Sequence, residues 1–292
     1  MDYKDEYIKC KTKYLELKNI DINNMIGGSK KDLFIFIGGY GMAPELWNYN
    51  LLTMEKTNFL NKIEEIGDVY KYYPKFYNIQ YYLKKNEKIK NFYDNDIEFN
   101  IDDINFKKES QYIYDDVNKL SKYDRYIIIC TSIGIHYAIE LSKLLTNCIV
   151  ISIEGSHIGK NARIKFEKTL QDYESKYKNY TNEDLKKLIK DNNYDEIDNL
   201  IGAKMVSNID FDFKKFDCPN LHFQNLIIED SNSINLETET KNNEKNMLKI
   251  NTSNYISEND EKYNIIWLYN KGHVAFGTDT ENILHHIKKF LQ

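Results

Sequence analysis

Short apolar runs alternate with stretches of helical pattern along most of the chain, and this alternation constrains the fold more than any other feature. A short apolar run bounded by charge or glycine is typical of a strand buried on both faces. Strands are predicted at residues 33–37, 67–74, 123–130, 147–156 and 220–228, with a last strand and loop at 263–273. Helical patterns lie at 45–66, 109–121, 131–145, 160–202 and 280–292. Such alternation predicts an α/β fold with a mostly parallel sheet flanked by helices. The strand-free stretch predicts a helical cap insertion at about 157–215.

Composition excludes several classes of protein. The 292 residues carry a net charge of −5, which argues against a dedicated nucleic-acid binder. The four cysteines form no CxxC pair, so neither a zinc site nor a disulfide framework is expected. The sequence contains no apolar run of about 18 residues, and its charged start does not resemble a signal peptide. We therefore expect a protein without a transmembrane segment, in a reducing compartment such as the cytoplasm, and not secreted.

The strongest chemical signal lies where the run ending at Cys130 meets the next helix. The residues Thr131-Ser132-Ile133-Gly134 join a predicted strand directly to a predicted helix. A nucleophile elbow has this form, because the serine stands on a tight turn and its neighbours two residues away must be small. The alternative is that Ser132 is an ordinary N-cap of the helix.

A glycine-rich turn, GGYGM at 38–42, follows the first strong strand. It lacks the complete phosphate-binding patterns G-x-x-x-x-G-K-[ST] and G-x-G-x-x-G. A backbone N–H from this turn and the N–H of Ile133 are candidates for the two halves of an oxyanion hole.

The candidate base is His273, in the loop after the last strand and preceded by glycine. His157, just past a strand end, is the second choice. Asp230 follows a predicted strand and would complete the chain order Ser, Asp, His found in α/β-hydrolases. Glu229 and Glu154 are alternative acids at strand ends.

Together these features resemble the α/β-hydrolase superfamily over residues 31–292. The resemblance implies Ser132 as nucleophile, His273 as base and Asp230 as acid, with the N–H groups of Tyr40 and Ile133 as oxyanion donors. It implies no metal or organic cofactor.

Two positions depart from the pattern of that superfamily. Gly38 stands where histidine is frequent, and Cys130 replaces the first glycine of the elbow. In the same turn, Gly39, Gly41 and Met42 are expected to contact the substrate.

The leading hypothesis is a serine hydrolase that cleaves an ester, a thioester or a related acyl bond of a small-molecule or lipid substrate. The alternative is a catalytically inactive α/β-hydrolase-like protein used for binding or assembly. A cysteine nucleophile at Cys130 is a third and weaker option, because the residue is expected to be buried.

Residues 1–28 stand apart from the predicted domain at 29–292. Apolar residues at spacings of four and three form a stripe on an amphipathic helix, too short for an independent coiled coil. The segment YIKCKTKYLELKN followed by IGG resembles the N-terminal segments of many proteins of large nucleocytoplasmic DNA viruses. The stripe allows two interpretations, a helix that docks on its own domain or frays in solvent, and a tag for targeting or self-association. The viral resemblance implies a location in the host cytoplasm or the virion.

Overall fold

A mixed sheet with helices on both faces forms the core of the computed structural model. The model describes residues 31–40, 42–72, 101–120, 122–155, 166–212, 216–226, 255–257, 264–269 and 275–292. Its strands are β1 (Asp32–Ile37), β2 (Asp68–Lys71), β3 (Arg125–Ser132), β4 (Cys148–Gly155), β5 (Asn220–Leu226), β6 (Tyr255–Ser257) and β7 (Asn264–Tyr269). Its α-helices are α1 (Phe59–Glu64), α2 (Phe106–Asn118), α3 (Gly134–Ser142), α4 (Glu167–Asp172), α5 (Asn182–Lys190), α6 (Tyr194–Ser207), α7 (Ala275–Thr278) and α8 (Thr280–Leu291).

The strands form one sheet in the order β2-β1-β3-β4-β5-β7-β6. Among these described strands, every pairing is parallel except that of β6 with β7. Because parallel neighbours end at the same edge, the carboxyl ends of β1, β3, β4, β5 and β7 share one edge of the sheet. Ligands of open α/β sheets bind at that edge. The predicted parallel α/β architecture is therefore confirmed.

The central strands are buried on both faces, as their continuous apolar runs predict. In β1, Leu33, Ile35 and Ile37 enter one hydrophobic core. Phe34 and Phe36 enter a second core on the opposite face of the sheet. The first core also contains side chains of α2 and α3, whereas the second contains side chains of α1, α7 and α8.

The segment between β4 and β5 is mainly helical over residues 166–207, as the sequence predicts. It comprises α4, a π-helical turn at Tyr173–Tyr177, α5 and α6. Apolar side chains of this segment, including Leu185 and Leu200, belong to the same core as α2 and α3. The inserted helices are thus packed onto one face of the sheet.

The prediction of a single helix at 45–66 is wrong. Only a 3₁₀ helix at Pro44–Asn48 and α1 form, and a bridge joins Tyr49 to Lys56 between them. Met54 and Asn58 have left-handed backbones, with φ of 60° and 59°, and this conformation interrupts a right-handed helix.

Candidate active site

Ser132 occupies a tight turn between a strand and a helix. Strand β3 ends at Ser132, helix α3 begins at Gly134, and Ser132 has a φ of 51°. A left-handed backbone at a residue with a side chain costs roughly 1–2 kcal/mol, so the turn is strained. The N-cap position of α3 is occupied by Ile133, and no side chain caps the helix there. The reading of Ser132 as an ordinary N-cap is therefore wrong.

Gly134 is required by packing against the end of β1. A Cβ atom at this position would lie 2.7 Å from the carbonyl oxygen of Gly38 and 2.8 Å from that of Ile37. Both oxygens belong to the backbone and cannot rotate away as a side chain would. The expected close approach of the elbow helix to its neighbours is present, and it explains the glycine two residues after the serine.

Cys130, at the position two residues before the serine, is accommodated inside the core. Its side chain is fully buried and lies beside Ser152, its register partner on β4. Burial raises the pKa of the thiol to about 12, although the neighbouring Ser152 side chain acts in the opposite direction. A thiol that stays protonated is a poor nucleophile, so these observations argue against catalysis by Cys130.

The turn after β1 lies directly against Ser132. A Cβ atom at Gly39 would lie 2.9 Å from the Cβ atom of Ser132 and 3.5 Å from its Oγ atom. The Met42 N–H donates a hydrogen bond to the Gly39 carbonyl at 3.2 Å. The two segments that carry the predicted oxyanion donors, at Tyr40 and Ile133, are thus brought together.

Gly38 departs from the histidine that is frequent in the superfamily, and its surroundings explain the departure. A Cβ atom at this position would lie 2.6 Å from the carbonyl oxygen of Met42 and 3.0 Å from its Cβ atom. The turn therefore leaves no room for a side chain at position 38.

Tyr40 connects this turn to the inserted helices. Its hydroxyl donates a hydrogen bond to the Asp198 carboxylate on α6 at 3.1 Å. No sequence pattern distinguishes Asp198, because it is one of three acids in α6. The bond places α6 next to the turn that borders Ser132.

Strand β4 ends beside the serine with a second strained residue. Ser132 pairs with Gly155, and the preceding residue, Glu154, is buried and has a φ of 53°. Glu154 is thus the alternative acid that the described residues place next to the elbow. The predicted residues Gly41, Glu229, Asp230 and His273 lie outside the described residues, as does His157.

Two other histidines are buried inside the fold. His222 is buried in β5, where its ring is 3.1 Å from Oδ1 of Asn220, and burial lowers its pKa to about 4. His136 is buried in α3, with its ring 5.2 Å from that of Phe106. Both belong to the packed interior of the fold.

Two further observations concern the described ranges only. No group of three or more His, Cys, Asp or Glu side chains there is arranged to hold a metal ion. Within the same ranges, no helix combines the length and apolar character needed to cross a membrane.

Comparisons with known proteins identify the fold. No family model matches the sequence, and no curated protein matches it. The solved structure of CorEH, an epoxide hydrolase without ligand, is similar over 90% of this chain and 92% of its own, with a TM-score of 0.50 and 11% identity. A lipase-esterase related protein from Clostridium acetobutylicum covers 90% of this chain and 95% of its own, with a TM-score of 0.48 and 13% identity. The RedJ thioesterase of the prodiginine pathway in Streptomyces coelicolor covers 90% and 87%, with a TM-score of 0.46 and 9% identity.

At these identities the likeness concerns the fold alone. The superfamily resemblance predicts a parallel sheet flanked by helices, with a serine of left-handed backbone conformation between β3 and α3. The structure has this arrangement. The chain adopts the α/β-hydrolase fold.

Proposed function

We propose that the protein is a serine hydrolase that cleaves an ester, a thioester or a related acyl bond. The observation that carries the proposal is the strained turn at Ser132, which is packed between Gly39 and Gly134. Strain of this kind concentrates at functional sites, where surrounding contacts enforce it. Here the contacts hold a hydroxyl at the carboxyl edge of a parallel sheet.

The proposed reaction begins when Oγ of Ser132 attacks the substrate carbonyl carbon and His273 takes the hydroxyl proton. The tetrahedral oxyanion accepts hydrogen bonds from the N–H groups of Tyr40 and Ile133. Collapse breaks the acyl bond, and the leaving alcohol or thiol receives the proton from His273. Water then releases the acyl group from Ser132 by the same steps in reverse.

The electrostatics of α3 support the same reaction. The helix has nine residues and begins at Gly134, directly after the serine turn. The N-terminus of a helix carries partial positive charge and unpaired N–H groups, which stabilise a nearby anion. An oxyanion that forms at Ser132 would benefit from this field.

The topology supports His273 and Asp230 as partners of Ser132. Each follows the end of its strand by four residues, Asp230 after β5 and His273 after β7. These strands lie two and three positions from β3 in the sheet, or about 10 and 14 Å at ordinary strand spacing. Four extended residues span up to about 14 Å, so both side chains are within reach of the elbow edge. Glu154 and Glu229 remain alternative acids.

The substrate is proposed to be a small molecule or lipid with an acyl group, bound against Gly39, Gly41 and Met42. The inserted helices lie beside this turn through the Tyr40–Asp198 hydrogen bond. They therefore offer the surface that would select the acyl chain.

A fluorophosphonate probe tests the nucleophile, because it labels activated serines. We expect labelling of the wild type and of Ser142→Ala, but not of Ser132→Ala. Ser142 is a matched control because it lies at the other end of α3, where its hydroxyl donates to the Ile139 carbonyl. Circular dichroism and thermal melts establish that each variant is folded.

Equal labelling of wild type and Ser132→Ala would contradict the assignment. Absence of labelling and of nitrophenyl-ester hydrolysis in the folded wild type would favour the alternative, a catalytically inactive binding or assembly protein. If the wild type is active, a panel of nitrophenyl esters of increasing acyl length defines the preferred chain length, with Ser132→Ala as the inactive reference.

A further inference from the structure

Two cysteines lie side by side at the edge of the sheet opposite the elbow. Strands β4 and β5 are parallel, with Val150 as the register partner of Asn220. Cys148 and Cys218 each lie two residues before these partners, and the Val150 N–H donates to the Pro219 carbonyl at 3.0 Å. The pairing therefore continues back toward the two cysteines.

The separation that this register predicts for the two cysteines matches the geometry of a disulfide. Neighbouring strands are about 4.8 Å apart, and the Cα atoms of bridged cysteines are usually about 4.4–6.8 Å apart. Both side chains also face the same side, since Cys148 belongs to the core formed with α3 and Cys218 packs against that core. Both thiols are free in this structure.

The two thiols differ in their contacts and in their exposure. The Cys148 thiol lies 3.7 Å from the Ser142 carbonyl oxygen, which fixes its position. Cys218 is partly exposed, whereas Cys148 is buried.

We propose that Cys148 and Cys218 are a dithiol modification site that a low-molecular-weight disulfide, such as oxidised glutathione, converts to an intramolecular disulfide. The partly exposed Cys218 loses its proton and attacks one sulfur of the reagent, which gives a mixed disulfide and one reduced thiol. The Cys148 thiolate then attacks the Cys218 sulfur and displaces the second thiol. The protein loses two electrons and two protons, and the reagent is reduced to two thiols.

The bond would close the chain between residues 148 and 218, and this loop contains all the inserted helices. A cross-link that spans about 70 residues restricts the unfolded chain strongly. We expect oxidation to raise the melting temperature by on the order of 5–10 °C. Strand β4 has eight residues from Cys148 to Gly155, the partner of Ser132. The seven steps between its ends span about 23 Å, which separates the bond from the elbow. Oxidation should leave fluorophosphonate labelling unchanged.

The test uses the full-length protein, first reduced and then incubated with oxidised glutathione. We expect the free-thiol count to fall from four to two, the intact mass to fall by two hydrogens, and peptide mapping to recover a Cys148–Cys218 cross-link. Cys218→Ser should abolish the cross-link, and Cys148→Ala should stop the reaction at one glutathione adduct on Cys218. Cys130→Ser is the matched control because Cys130 is buried in the neighbouring strand, and it should form the cross-link normally.

Three results would overturn the proposal. They are a wild type that keeps four thiols, a wild type that stops at the mixed disulfide, and a cross-link that uses Cys10 or Cys130. The thiol count and mass of the wild type decide the question even if a variant fails to fold. None of these measurements depends on the proposed hydrolase activity.

Discussion

Alanine at position 134 tests whether the elbow depends on close backbone contact. The added methyl carbon would lie 2.7 and 2.8 Å from the carbonyl oxygens of Gly38 and Ile37. Carbon and oxygen atoms that do not bond are rarely closer than about 3.3 Å, even in weak hydrogen bonds. The end of β1, or α3 itself, must therefore move by several tenths of an ångström. That movement separates the turn at 38–40 from Ser132.

Two opposing contributions determine how much Gly134→Ala changes the free energy of unfolding. Insertion of a methyl group into a tight contact costs about 1–3 kcal/mol. Alanine recovers up to about 1 kcal/mol because it favours the helix more than glycine does. We therefore expect a net loss of about 1–2 kcal/mol in the free energy of unfolding, or about 2–3 °C in melting temperature for a chain of this length. Loss of one oxyanion donor lowers kcat by about 100–1,000-fold, so a partial displacement should lower kcat/KM by about 10–100-fold.

The measurements are a thermal melt and ester hydrolysis for Gly134→Ala and for a matched control, Gly202→Ala. Gly202 lies inside α6, and a Cβ atom there would meet no heavy atom within 4 Å apart from the adjoining backbone of its own helix. The control should therefore gain up to about 1 kcal/mol from helix propensity and keep wild-type activity. Wild-type melting temperature and kcat/KM in Gly134→Ala would refute the reasoning, because the elbow would then tolerate the displacement.

Three further predictions follow from single contacts. Tyr40→Phe removes the hydrogen bond to Asp198 on α6 but keeps the backbone N–H of residue 40. We expect faster amide hydrogen exchange over residues 194–207 and a larger change in KM than in kcat. Unchanged exchange would contradict a stabilising role of this hydrogen bond. If Asp230 is the acid, Asp230→Asn should lower kcat far more than Glu154→Gln, and the reverse ranking in ester hydrolysis would assign the role to Glu154. The buried His222 has a pKa of about 4, below its ordinary 6.5, so between these pH values the unfolded chain binds a proton that the native protein does not. Stability should fall by up to about 3 kcal/mol as the pH drops through that window, and His222→Gln should flatten the dependence in denaturant titrations.

The sequence predicts the central strands well because their burial leaves a continuous apolar signal. Residues 33–37 and 147–156 are recognised in this way, and the structure has β1 and β4 there. The turn at Ser132 is recognised because a serine and a glycine stand at fixed spacing between a strand and a helix, which is the pattern of a nucleophile elbow. These signals are local, so a single sequence is sufficient to predict both features.

What the sequence does not predict depends on tertiary contact or weak local patterns. Strand β6 has three residues within a polar stretch, and it exists only because β7 pairs with it. Tyr40 and Asp198 are 158 residues apart, and no local pattern relates them. The cysteine pair at 148 and 218 becomes visible only when the register of β4 and β5 is known.

Packing explains the glycines at the elbow, but it does not explain the serine. Gly38, Gly39 and Gly134 stand where a Cβ atom would meet its neighbours at 2.6–2.9 Å, so glycine is needed there for space. At position 132 the backbone is left-handed, and glycine would relieve the strain without loss of any cap on α3. The chain nevertheless carries a serine there, and the adjacent strand carries a buried, equally strained Glu154. Because glycine would relieve the strain at position 132, the serine found there supports the proposal that its hydroxyl has a chemical role.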